Sequence, residues 1–85
     1  MARYKLLFKK SVAKDLRALS GRDVRRILKR IDAIADDPRA AGCKKLSGRD
    51  YYRVRQGVHR ILYEIIDDRL VVHVIKVGHR SQAYQ

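Results

Sequence analysis

The stretch YYRVRQGVHRILYEI, residues 51–65, sets Arg53, Arg55 and Arg60 into a segment that otherwise reads as sheet. Half-buried strands normally carry Val, Ile or Thr at such places. A guanidinium is planar, permanently charged, and grips phosphate or carboxylate through paired hydrogen bonds. Further on, VIKVGHRSQAYQ adds His79, Arg80 and Tyr84 after an apolar run. Of nine carboxylates only Glu64 falls in a predicted strand, the rest being aspartates of helices, helix ends and turns. A charge buried in a sheet without a partner is costly, so these arginines require an anion from outside the chain. Phosphate suits several guanidinium groups at once. Tyr51 and Tyr84 add ring faces on which an unpaired base can stack, worth about 1–3 kcal/mol per base. Single-stranded or splayed-out RNA therefore fits better than duplex DNA. Tyr52 and Tyr63 read as ordinary sheet packing.

Other chemistries find little support. One cysteine and three scattered histidines show no metal-ligand spacing, and no cofactor is implied. Ser11, Ser20, Ser47 and Ser81 suggest no Ser-His-Asp set. Cys43 stands beside Lys44 and Lys45, which alone is a weak nucleophile signal. His59 and His73 read as structural.

The whole chain agrees with the arginines. Its 85 residues allow one domain, 1–85, and the 21 Lys and Arg against 9 Asp and Glu give a net charge of +12. Such a domain attracts polyanions: nucleic acid, an anionic membrane surface or an acidic protein. A single cysteine permits no internal disulfide and fits a reducing compartment. The N-terminal MARYKLLFKK lacks the apolar core of a signal peptide, and no apolar run is long enough to span a bilayer. A cytoplasmic domain without membrane contact is expected.

Residues 3–8 read as a short strand. A helix over 11–19 follows, with Ser11 as N-cap and Val12, Leu16 and Leu19 on one face. Ser20 and Asp23 resemble a capping box for a second helix, where Val24, Ile27, Leu28, Ile31, Ile34 and Ala35 make an apolar stripe. Its other face, Arg25, Arg26, Lys29, Arg30 and Asp32, reads as solvated. Pro38 stops it. Residues 42–48 read as loop, and strands over 51–56, 59–66 and 70–77 form an antiparallel meander. The order β-α-α-β-β-β implies an α+β fold, a helical hairpin packed on one face of a small twisted, mostly antiparallel sheet. Strand alternation then places Tyr52, Val54, Ile61, Tyr63 and Ile65 against the helices and turns Arg53, Arg55 and Arg60 outward. The last strand, apolar on both faces, reads as central.

DPRAAGCKKLSG, YYRVRQGVHRILYEI and VIKVGHRSQAY, in this order after two helices, resemble the RelE branch of the RelE/ParE toxin superfamily over essentially the whole chain. The resemblance implies a toxin of a type II toxin–antitoxin system, a metal-independent, ribosome-dependent endoribonuclease cutting messenger RNA in the ribosomal A site. It implies an acidic antitoxin as partner, with operator DNA reached only through that antitoxin. By the same resemblance Arg53 and Arg55 match a basic pair, lysines in the best-known members, and Arg60 grips the scissile phosphate with Arg80. Tyr84 stacks on a base of the bound message. Outside the resemblance, His79 reads either as a candidate general base or as a rim histidine making a turn hydrogen bond, and Lys44 and Lys45 read as contacts to ribosomal RNA. Two other readings compete: a ParE-like DNA gyrase inhibitor, and a basic nucleic-acid-binding module without catalysis.

Overall fold

The computed structural model describes residues 3–46 and 51–79, and its elements follow the predicted order. Strand β1 is Lys5–Phe8, helix α1 Lys10–Arg17 and helix α2 Gly21–Asp36. Strands β2 (Lys44–Lys45), β3 (Tyr51–Gln56), β4 (His59–Ile66) and β5 (Val71–His79) follow among the described residues, with a short 3-10 turn at Asp67–Arg69.

Ser20 Oγ accepts a hydrogen bond from the Asp23 N–H at 3.2 Å, so the predicted cap forms. The other predicted cap does not. Helix α1 begins one residue before Ser11, and Lys9 occupies its cap position without a side-chain hydrogen bond. Another difference lies in residues 42–48, where Lys44 and Lys45 form a two-residue strand in place of loop. Two residues carry too little alternation to announce a strand.

The sheet order is β1-β5-β4-β3-β2. β1 pairs parallel with β5 and every other neighbouring pair is antiparallel. The two residues between β3 and β4 are Gly57 and Val58, and Gly57 has φ +62°, the left-handed value such a hairpin needs. Between β4 and β5 the register slips after Leu62: Tyr63 faces Val74 while Leu62 faces Lys76. Ile75 is therefore an extra residue, a β-bulge that flips the alternation of β5. Both Val74 and Val77 thereby reach the helix side, where both are buried.

The core lies between this face and the helices. Val12 of α1 and Ile27, Ile31 and Ile34 of α2 pack with Tyr52, Val54, Ile61, Tyr63, Ile65, Val72, Val74 and Val77. Tyr52 and Tyr63 stack with centroids 5.8 Å apart, and Tyr63 donates to the Pro38 carbonyl at 2.6 Å. Burial, with the Cys43 thiol beside it, pushes the Tyr63 hydroxyl well above the usual phenol range. Side chains bolt the layers at their rims. Asp15 Oδ2 accepts from the Val77 N–H at 3.2 Å, just past the bulge. Arg39 forks onto Asp67 at 3.1 and 2.8 Å and donates to Tyr52 Oη, while Tyr4 donates to the same Asp67.

Candidate functional site

The register fixes which side chains share the face without helices. Tyr51 stands opposite Glu64, Arg53 opposite Leu62, and Arg55 opposite Arg60. Arg60 in turn faces Gly78 on β5, and Lys44 on β2 faces Arg53. Residues directly opposite in an antiparallel pair hold their Cβ atoms about 5 Å apart. Arg55 and Arg60 are thus immediate neighbours of like charge. Arg53 and Arg60 are half-buried and Arg55 is exposed.

Five of the described carboxylates are engaged elsewhere. Asp32 and Asp36 bind Arg3, Asp67 binds Arg39, Glu64 meets His73 at 3.4 Å, and Asp15 holds Lys76 at 3.9 Å. Among the described residues none of these reaches Arg53 or Arg55. Among the described residues Arg53 and Arg55 thus stand without a carboxylate, as the sequence leads one to expect.

A cleft of about 320 Å³ opens at the outer end of this face, lined by Arg30, Gly42, Lys44, Arg53 and Arg55. β2 pairs only with Tyr52 and Arg53, so past Arg53 it leaves the edge of β3 uncovered, and here Arg30 of α2 joins the strand arginines. Gly42 makes room for it. Its φ is +93°, and a Cβ there would stand 3.1 Å from an Arg30 terminal nitrogen. Sequence reasoning missed Arg30, because its neighbours Arg25, Arg26 and Lys29 share its chemistry and its helix face. No signal in the sequence separates them.

Two other expected residues are placed differently. Lys45 faces Tyr52 in the register and so alternates away from Lys44, and the two lysines do not act on one surface. His79 faces His59, its ring edge-on at 6.0 Å, on the side of Ile61 and Val77 and not of Arg55 and Arg60. The structure does not bring His79 to the arginine face. His59 is buried and His73 pairs with Glu64, as structural histidines do. Arg80 and Tyr84 lie outside the described residues. Among those described, no three His, Cys, Asp or Glu side chains gather to hold a metal ion, and no helix is long and apolar enough to cross a membrane.

Comparison with known proteins accords with this geometry. Residues 6–84 match the family model described as the ParE toxin of type II toxin–antitoxin system, parDE. The mRNA interferase toxin RelE of Escherichia coli (strain K12) is 29% identical over 82 residues, 94% of this chain and 86% of that protein. The crystal structure of the isolated E. coli RelE toxin superposes with a TM-score of 0.81 at 29% identity, covering 94% of this chain and 87% of that one. The toxin–antitoxin complex RelBE2 from Mycobacterium tuberculosis gives a TM-score of 0.84 at 25% identity, over 96% of this chain and 97% of that one.

Proposed function

The chain belongs to the ParE toxin family of type II toxin–antitoxin systems and is a RelE-like toxin, and from that premise we propose that it is a ribosome-dependent endoribonuclease acting on messenger RNA. The observation that carries the reading is the open sheet face, where Arg53, Arg55 and Arg60 gather and Arg53 and Arg55 have no carboxylate among the described residues.

In this mechanism a ribose 2′-hydroxyl gives up its proton and its oxygen bonds to the adjacent phosphorus. The bond from phosphorus to the 5′-oxygen breaks and that oxygen takes up a proton from water, leaving a 2′,3′-cyclic phosphate and a 5′-hydroxyl. Arg60 and Arg80 hold the phosphate oxygens where negative charge grows, often the largest single contribution to catalysis. Arg55, opposite Arg60, and Arg53 extend that field toward the attacking hydroxyl. Neither serves as base, because a guanidinium keeps its proton. His79, across the sheet, is poorly placed for that role, and the base is left to the ribosome or the RNA. Tyr84 stacks on a base of the message, and Tyr51 and Lys44 steady the strand beside Arg53. The partner that restrains the toxin is an acidic antitoxin; supporting a protein partner, relatives are solved as RelE–RelB complexes. It also links the toxin to operator DNA. All of this proceeds in the cytoplasm.

The test is purified protein in a translating extract, read by primer extension along the message. Cuts confined to ribosome-engaged message are expected, and comparable cutting of naked RNA would refute ribosome dependence. A second reading is a ParE-like inhibitor of DNA gyrase that leaves RNA intact, the matched family model being described as the ParE toxin. Intact message together with blocked supercoiling would establish it.

A further inference from the structure

The basic stripe of α2 is not uniform in its surroundings. Arg25, Arg26 and Lys29 are exposed, whereas Arg30 is half-buried with its Nε below the surface and without a hydrogen-bond partner among the described residues. A buried donor left unmet costs free energy, so its position calls for an acceptor. None of the described residues supplies one. Asp37 shares a smaller cavity with Arg30, but its Oδ1 accepts from the Arg39 N–H, and no ion pair joins it to Arg30 among the described residues. Across the cleft stand Lys44, Arg53 and Arg55. Four cations from three elements converge on one space that no carboxylate lines among the described residues.

We infer that this cleft is a second phosphate site, which takes a backbone phosphate of the same RNA strand whose reacting phosphate lies at Arg60, with Arg30 reaching it from α2. The inference rests on the reading of the substrate as RNA. Arg60, Arg55 and Arg53 lie in line across and along the sheet, with about 5 Å between the opposed pair and roughly 7 Å between alternate residues of β3. A single strand leaving Arg60 along this line enters the cleft after a short run of nucleotides. Guanidinium forks approaching from a helix and a strand suit a tetrahedral anion with several free oxygens better than a planar carboxylate. Arg30 is a substrate-binding residue, remote from the bond that breaks.

The experiment uses the full chain and a 2′-O-methyl hexaribonucleotide, which lacks the attacking hydroxyl, with each phosphate replaced in turn by a neutral methylphosphonate. Arg30→Ala is expected to weaken binding about tenfold and to lower the slope of log affinity against log salt by about 0.7. Arg30→Lys should recover much of the loss. At one replaced phosphate Arg30→Ala should cost nothing further, and that phosphate should differ from the one at which Arg60→Ala becomes silent. Lys44→Ala, at an exposed position on the other wall, should be silent at the same phosphate as Arg30→Ala. Unchanged affinity and slope, a single phosphate coupled to both Arg30 and Arg60, or no RNA binding by the parent protein would each overturn the inference. So would a loss confined to a polyglutamate probe, which assigns the cleft to a protein partner. Coupling of Arg30 to a phosphate without cleavage in the extract removes the nuclease and leaves the cleft. Cleavage without that coupling removes the cleft alone.

Discussion

Arg60 faces Arg55 on one side and Gly78 on the other, so no second cation on β5 stands in its row to replace it. Arg60→Ala should therefore cost roughly a hundred- to a thousandfold in rate and abolish growth arrest on induction, with circular dichroism showing an intact fold. Arg53→Ala and Arg55→Ala should each cost less, because the two share a strand face. If stacking is its role, Tyr84→Phe should be tolerated far better than Tyr84→Ala. A different residue tests the core. Tyr63→Phe removes the donor to the buried Pro38 carbonyl and should lower stability by about 1–3 kcal/mol in urea unfolding, with the stacked rings preserved. At this scale the sequence was readable wherever alternation decides: the outward arginines and the inward Tyr52 and Tyr63 follow from parity alone. Arg30 was not readable, because its distinction from Arg26 or Lys29 is made by Gly42 and by the short reach of β2.

Between elements, stability rests on a few polar joints. Asp15 ties α1 to β5 through the Val77 N–H, which the neighbouring bulge places at the step in the ladder. Asp15→Ala should cost roughly 1–3 kcal/mol, and Asp15→Asn, which keeps an acceptor, should cost less. Asp67 joins Tyr4 ahead of β1, Arg39 after α2 and the turn before β5. The hydrogen bonds from Arg39 and then Tyr4 hold its carboxyl below the usual carboxylate range. Its folded value thus lies under its unfolded one, so its contribution is present at neutral pH and is lost as pH falls from about 4 through the folded value. Asp67→Asn should be less stable at neutral pH and show a flatter acid limb, measured by urea midpoints from pH 7 to about 2. An unchanged acid limb would move the acid sensitivity to other carboxylates. Element order and the helical hairpin were legible, since the apolar stripe of α2 and the meander are strong periodic signals. The bulge at Ile75 was not, because β5 is apolar on both faces and its parity shift leaves no polar mark.

Across the whole molecule, 12 excess positive charges act together. Binding to an acidic antitoxin should weaken markedly between low and high salt, and equal affinity at both would assign the contact to apolar grooves. Phosphate or sulfate should raise the melting temperature above that in chloride of matched ionic strength, because an anion held only by the folded state stabilises it by mass action. Net charge alone pointed to a polyanion, without choosing among nucleic acid, an anionic membrane surface and an acidic protein. Where on the surface that partner is read depended on pairing between distant segments, which composition does not encode.

The strand nearest the N-terminus lies on the outside of the sheet, and its partner there is the final strand, with Lys5 beside Val71 and Phe8 beside Val74. During synthesis, β1 emerges first and waits while nearly the whole remaining chain is made. β5 arrives last and takes a place inside the sheet, between β1 and β4. Folding domains with such distant pairings close late. A chain ending at Arg69 holds both helices and four of the five strands, yet it should remain unfolded by circular dichroism and harmless on induction. The arginine face then takes its final shape only once β5 has been made and seated between β1 and β4.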